Sequence, residues 1–106
     1  MQFEDYSEYE HYTGDLWAVV ESLYNAADPE YNDGTFEEHL FDSEDEAIEC
    51  YDEIVETKDF DSILANEPDP YYDEIAVLLC CSPYVNGYCD TLFTNDIVKG
   101  EVVASR

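Results

Sequence analysis

The chain is 106 residues long and carries 28 acidic side chains against three basic ones, which gives a net charge of −25 at pH 7. This charge argues against direct nucleic-acid binding and against binding to anionic membranes, because both surfaces would repel it. Hydrophobic residues nevertheless make up 45% of the sequence, enough to build a core, and the length suits one domain. We therefore predict a single folded acidic domain over residues 1–106.

The N-terminal segment is rich in aromatic residues spaced three apart, which fits either a short helix or an extended arm. These residues are Phe3, Tyr6, Tyr9 and Tyr12. We expect the rings to pack on the core; the alternative is a surface that contacts a partner. The segment has neither the basic nor the apolar region of a secretory signal, and no apolar run reaches the roughly 18 residues that span a bilayer. A cytoplasmic protein with reduced cysteines is expected.

Residues 16–27 predict an amphipathic helix. The i, i+3, i+4, i+7, i+8 spacing of one helical face is met by Leu16, Val19, Val20, Leu23 and Tyr24. The following residues 35–41 are compatible with a helical turn or with a short strand.

The strongest helix signal covers Ser43 to Glu56. Ser43 and Glu46 have the spacing of a capping box. An arc of about 160° on the helical projection holds the apolar residues Ala47, Ile48, Cys50, Tyr51, Ile54 and Val55. The opposite arc of about 120° holds only acids, namely Asp45, Glu46, Glu49, Asp52, Glu53 and Glu56. Neighbouring carboxylates there repel by roughly 0.2–0.5 kcal/mol per pair, whereas a face that served only solubility would mix the signs.

The charge density of this acidic face is close to that of a DNA strand. Six carboxylates over eleven helical steps give about one negative charge per 3.3 Å. One strand of duplex DNA carries a phosphate every 3.4 Å or so, roughly the same density. The two agree in charge spacing alone, and any equally dense acidic face would agree as well.

The C-terminal half predicts a short helix and then an ambiguous region. Residues 59–66 fit one or two helical turns with Phe60, Ile63 and Leu64 facing inward. Residues 71–79 fit a third buried helix, although the apolar run IAVLLCC would equally make a central strand. The choice between helices and strands stays open for residues 75–106. The predicted fold class is mainly α, a small domain of three to five helices, or α+β with a short antiparallel hairpin.

No metal, cofactor or catalytic site is predicted. With Gly34 at the sixth position of an EF-hand loop, the twelfth position is Leu40 rather than the glutamate that calcium requires. The cysteines and histidines form no C-x-x-C or H-x-x-x-H pair, so buried cysteines are expected at Cys50, Cys80, Cys81 and Cys89. No local signature of a catalytic nucleophile is present either, and we do not expect an enzyme.

In size, charge and the acidic face of DEAIECYDEIVE (residues 45–56), the chain resembles the DNA-mimic inhibitors of phages and mobile elements. Members of that class occupy the DNA-binding grooves of CRISPR effectors, restriction enzymes or repair glycosylases. The resemblance implies an inhibitor in the cytoplasm of an infected host cell, of the anti-CRISPR type first and the anti-restriction type second. It rests on no shared motif, so no residue role is carried over.

The expected partner is a basic nucleic-acid-binding protein such as a CRISPR effector, a restriction enzyme or another nuclease. The partner-binding residues predicted from charge are Asp45, Glu46, Glu49, Asp52, Glu53 and Glu56, extended by Glu37, Glu38, Asp73 and Glu74. One alternative is an immunity-type inhibitor of a basic nuclease toxin with Pro70–Glu74 as an aromatic anchor. Another is an acidic chaperone for a basic protein. The oligomeric state does not follow from the sequence.

Overall fold

The computed structural model, which describes residues 1–28, 34–86, 88–89 and 96–106, is an antiparallel sheet with its two longer helices packed on one face. The strands are β1 (Gln2–Phe3), β2 (Thr13–Tyr24), β3 (Gly34–Phe41), β4 (Glu74–Val85), β5 (Tyr88–Cys89) and β6 (Asp96–Ser105). The helices are α1 (Tyr6–Tyr9), α2 (Glu44–Thr57) and α3 (Phe60–Ala65). Strands account for most of the regular structure, so the predicted mainly α fold is wrong.

The sheet is organised around β2 and β4, which pair along their whole length from Thr13 opposite Val85 to Tyr24 opposite Glu74. The other edge of β2 pairs with β3, which in turn pairs with β1. The other edge of β4 is shared by β5 and β6. Every one of these pairings is antiparallel. Because β2 and β4 each have neighbours on both edges, these two longest strands lie in the interior of the sheet.

The helix predicted for residues 16–27 is wrong, because most of this segment lies in β2. Strands β3 and β4 pair with both edges of β2, and most of its residues on both faces are buried, among them Ala18, Val19 and Ser22. A strand buried on both faces has no need to alternate apolar and polar residues. Its apolar positions therefore happened to fall at helical spacing.

The two segments left open are also strands. Residues 35–41 lie in β3, and the run IAVLLCC lies in β4, so the strand alternative is confirmed for both. The buried third helix considered for residues 71–79 does not form. The C-terminal strand β6 runs through Lys99 and Gly100, so this part of the open region is a strand too.

Both helices after Phe41 match their predictions. Helix α2 is capped by Ser43, whose Oγ accepts a hydrogen bond from the backbone N–H of Glu46 at 3.4 Å. The carboxylate of Glu46 bonds the amino group of Met1 instead of completing the capping box. Helix α3 begins at Phe60 after Asp59, whose carboxylate accepts from the N–H of Ser62 at 3.1 Å.

The core lies between the sheet and these two helices. The inward residues of α2 and α3 with the least exposure are Ala47, Tyr51, Phe60 and Leu64. They belong to one buried cluster with side chains of β2 and β4, including Val19, Ile75, Val77 and Leu79. Burial of each large apolar side chain contributes about 1.5–3 kcal/mol, so this layer holds the helices onto the sheet.

The N-terminal segment is partly a strand and partly a helix. Phe3 in β1 is 6% exposed and its ring lies edge-on to that of Tyr12, with centroids 5.4 Å apart. Tyr9 also contacts Phe3, whereas Tyr6 is 57% exposed. The expectation of packed rings is therefore met by Phe3, in part by Tyr9 and Tyr12, and not by Tyr6.

A fully buried carboxylate, that of Glu21 in β2, lies on the helix side of the sheet. Lys58, just after α2, donates a hydrogen bond to Glu21 Oε1, and His39 Nε2 of β3 lies 2.9 Å from Glu21 Oε2. The Lys58 ammonium also lies 5.9 Å from the ring centroid of Phe60. A buried charge is strongly destabilising when a partner is removed, so these contacts are required for Glu21 to remain inside.

We expect Lys58→Met to lower the free energy of unfolding by about 3 kcal/mol, because Glu21 would stay buried with only His39 beside it. The matched control is Lys99→Met, which breaks an exposed ion pair with Asp52 and should cost about 1 kcal/mol or less. Adding Glu21→Gln to Lys58→Met should recover part of the loss. Urea unfolding at pH 7 measures all three variants, and equal losses for the two lysine variants would contradict the role of Lys58.

Candidate functional site

The candidate site is the acidic face of α2, which we define as the side chains Asp45, Glu46, Glu49, Asp52, Glu53 and Glu56. All six are exposed, while Ala47 and Tyr51 on the opposite side of the helix are buried in the core. The prediction that α2 divides into a core side and a carboxylate side is confirmed. The carboxylates are thus held by a helix that the core fixes in place.

The acidic face extends across both flanks of α2. On one flank Glu46, Glu49 and Glu53 line an open groove whose opposite wall comes from β1 and β3 and includes His39. On the other flank Asp52 points toward β6 and accepts a hydrogen bond from Lys99 Nζ at 3.0 Å. The negative surface therefore spans the helix from the β3 side of the sheet to the β6 side.

Few cations neutralise this surface. Lys99 lies 4.4 Å from the ring centroid of Tyr51 and pairs with Asp52, but both charged groups are exposed and the pair contributes at most about 1 kcal/mol. Apart from the contact of Glu46 with the Met1 amino group, the acidic face has no other ion pair within the described part of the chain. Its charge is thus available to a partner.

The two predicted acids of β3 lie on opposite faces of the sheet. Glu37 is directly opposite Glu21, so it lies on the side of α2. Glu38 is opposite Val20 and lines a depression with Tyr6 and Tyr9 on the other side. Glu37 therefore lies on the side of the acidic face, whereas Glu38 does not.

Asp73 and Glu74 are half-buried and are bonded within the fold. Asp73 Oδ1 accepts from the backbone N–H of Ala26 at 2.9 Å, and Glu74 Oε1 accepts from Ser105 Oγ at 3.4 Å. Burial, together with a hydrogen bond to Glu74, raises the pKa of Tyr24. These two acids stabilise one end of the sheet, so the structure does not bring them into the acidic face.

The predicted aromatic anchor at Pro70–Glu74 presents one ring only. Tyr72 is half-buried and packs against the core, whereas Tyr71 is 38% exposed. The two rings stack edge to face with centroids 5.3 Å apart. The anchor is thus smaller than the sequence suggests.

The contact between Glu21, His39 and Lys58 was missed by sequence reasoning. His39 forms a wall of the groove beside α2 and also bonds the buried Glu21, so it connects the acidic face to the interior. The available signal was a single acid in the apolar stretch LWAVVESLY. In the helix predicted for this segment, Glu21 is not among the residues of the apolar face, so its burial was not expected.

Two of the described thiols, those of Cys50 and Cys80, are poorly suited to nucleophilic chemistry. Burial raises the pKa of Cys80 to about 11, and burial with the nearby charges of Glu21 and Glu53 raises the pKa of Cys50. Both thiols are therefore protonated at neutral pH, and it is the thiolate that attacks electrophiles or binds metals. Over the residues that the structure describes, no group of three or more His, Cys, Asp or Glu side chains could hold a metal ion. In the same residues, no helix is long and apolar enough to cross a membrane.

Comparison of the chain with known protein families, with characterised proteins and with solved structures finds no match. The geometry defines the site as a row of exposed carboxylates on one rigid helix. Such a surface attracts cationic groups through Coulomb interaction.

We expect added salt to raise the melting temperature at pH 7, because ions screen the repulsion among the carboxylates. Going from about 10 mM to 500 mM sodium chloride should raise it by 5 °C or more, the shift that about 1 kcal/mol produces in a domain of this size. Differential scanning calorimetry measures the change. Reversing four charges of the acidic face to Lys should make this rise in melting temperature smaller. A wild-type melting temperature that does not change with salt would contradict the idea of a charge-strained fold.

We expect the free energy of unfolding to fall as the pH rises from 9 to 11. The folded protein keeps the Cys80 proton up to about pH 11, whereas the unfolded chain releases it near the ordinary value of 9.0. Above pH 9 deprotonation of this thiol therefore stabilises the unfolded state, and the free energy of unfolding falls by up to about 2.7 kcal/mol. Urea unfolding of Cys80→Ala under reducing conditions should show a smaller fall than the wild type. Identical pH dependence in both would contradict the shifted thiol.

Proposed function

We propose that the protein is a DNA-mimic inhibitor, in which the acidic face of α2 occupies the positively charged DNA-binding groove of another protein and excludes DNA. The observation that carries this proposal is the row of six exposed carboxylates on one helix. Within the described part of the chain, only Glu46 and Asp52 of the six have a cationic partner. The others are free to pair with the Lys and Arg side chains of a groove.

The rigidity of α2 supports binding by mimicry. Ala47 and Tyr51 hold the helix in the core, and Ser43 caps its start. The carboxylates therefore have a fixed spacing before a partner binds. This helix loses less conformational entropy on binding than a flexible acidic tail would lose. The backbone of a DNA strand presents its charges in a comparably fixed row.

Electrostatics favour a basic partner strongly. A chain with a net charge of −25 repels itself, and a groove lined with Lys and Arg would relieve part of that repulsion. Complementary charge also speeds association, and both rate and affinity fall as salt rises. Binding should therefore be tight at low salt and weaken steeply with ionic strength.

The class of target follows from the resemblance to phage inhibitors in size and charge. A CRISPR effector nuclease is the first candidate and a restriction enzyme the second, both in the cytoplasm of an infected cell. The groove between α2 and β3 would admit a Lys or Arg side chain from the partner, since Glu46, Glu49 and Glu53 line it. The function remains non-catalytic in this proposal.

The test compares two variants with equal changes in charge. One reverses the acidic face at Glu49, Asp52, Glu53 and Glu56 to Lys. The control reverses exposed acids elsewhere, at Glu4, Asp15, Glu38 and Asp61. Displacement of a labelled DNA duplex from a purified CRISPR effector, and then from a restriction enzyme, measures inhibition by fluorescence anisotropy.

The wild type and the control should displace DNA, and the face reversal should be weaker by at least about 100-fold, which corresponds to about 2.7 kcal/mol. Circular dichroism should show the same fold in all three, because the core side of α2 is unchanged. A folded face reversal that inhibits as well as the control would exclude the acidic face. Binding to either enzyme without displacement of DNA would favour the immunity-type alternative.

A further inference from the structure

The strand β6 is a long edge of the sheet. Residues Asp96–Ser105 pair with β4 on one side, and within the described part of the chain no strand pairs with the other side. The unpaired backbone donors and acceptors of such an edge are a template for a strand of another chain. Proteins usually block this with short edges, charges or prolines.

β6 is ten residues long and contains no proline, and its central charged residues Lys99 and Glu101 have opposite signs. Its exposed side chains include Ile97, Val98 and Val102, which are 61%, 49% and 49% exposed. The outer edge of β3, by contrast, carries Glu37 and Glu38. Residues 96–106 contain as many basic as acidic side chains, so this edge is a neutral part of a strongly negative chain.

The sequence of β6 is complementary to itself in the antiparallel direction. Placing Gly100 opposite Gly100 of a second copy brings Lys99 opposite Glu101 and Val98 opposite Val102, twice each. Directly opposite residues of an antiparallel pair interact, and opposite charges there are stabilising. Centring the pair on Lys99 or on Glu101 instead would place two like charges opposite each other.

The charged centre of this register lies in a regular part of β6. Its irregularities lie at Val98 and Val103, so the ladder with β4 is regular over residues 99–102. Lys99 is opposite Leu79 and Glu101 is opposite Val77, both of which face the helices, so the two charges lie on the same side of the sheet. Gly100 places no side chain at the centre of the pair.

We propose that the β6 edge binds a second copy of this chain, which forms a two-fold dimer with one continuous sheet. Two-fold pairing of this kind keeps the helix sides of both copies on the same side of the sheet. The two acidic faces then form one longer negative surface. The dimer goes beyond the proposed inhibitor function and does not depend on it, since it is measured without any partner.

Sedimentation velocity of the full chain between about 5 and 500 µM, in 300 mM sodium chloride, tests the dimer; the salt screens repulsion between the two acidic faces. The wild type should show a reversible monomer–dimer equilibrium. Lys99→Glu and Glu101→Lys should each weaken it by about tenfold or more, because each places like charges opposite each other. Mixing the two variants should restore dimers, because the mixed pair has opposite charges at both positions.

The double variant Lys99→Glu/Glu101→Lys keeps complementarity within one chain and should also dimerise, which guards against a failure of folding in a single variant. Circular dichroism confirms the fold of each. A wild type that stays monomeric throughout the range overturns the proposal. Dimers that form equally well in both single variants overturn it too, because the contact would then lie elsewhere.

Discussion

The chain has 28 acidic side chains and three basic ones, so its carboxylates repel one another across the whole domain. The positions of the three basic side chains are best understood from this repulsion. Each basic side chain has a specific task. Lys58 compensates the buried Glu21, and Lys99 pairs with Asp52 beside the Tyr51 ring. Arg106 donates to backbone carbonyls in the last turn of α3 and just after it, including that of Leu64 at 2.9 Å. Of the three, Lys99 alone pairs with a member of the acidic face within the described residues.

The sheet makes this uneven distribution of charge possible. Strands β2 and β4 bury apolar side chains on both faces and supply much of the core. Helix α2 contributes to this core with one side only, so its outer side can consist of acids. A helix with such a face would be marginal alone, because its neighbouring carboxylates repel. Packing of Tyr51 and its neighbours on the sheet supplies the stability that the helix lacks by itself.

Local signals predicted α2 and α3 correctly, because a cap and one apolar face determine a helix within its own segment. The strands depend on partners distant in the sequence, and β2 is buried on both faces only because β3 and β4 flank it. For the same reason Glu37 and Glu38 could not be assigned to different sides without the register. Asp73 and Glu74 were predicted to extend the acidic face. The sequence could not reveal their hydrogen-bond partners, Ala26 and Ser105, because these lie far away along the chain.

The two long edges of the sheet differ in a way that relates to the acidic face. Acids on β3 extend the negative charge of α2 on one side, at Glu37, and discourage strand pairing there. The β6 edge has balanced charges and three exposed apolar side chains, and Lys99 connects it to α2 through Asp52. Repulsion therefore disfavours association through every strongly acidic part of the described surface and least through β6. Self-association through this edge therefore brings fewer like charges into direct contact than association through the acidic face would.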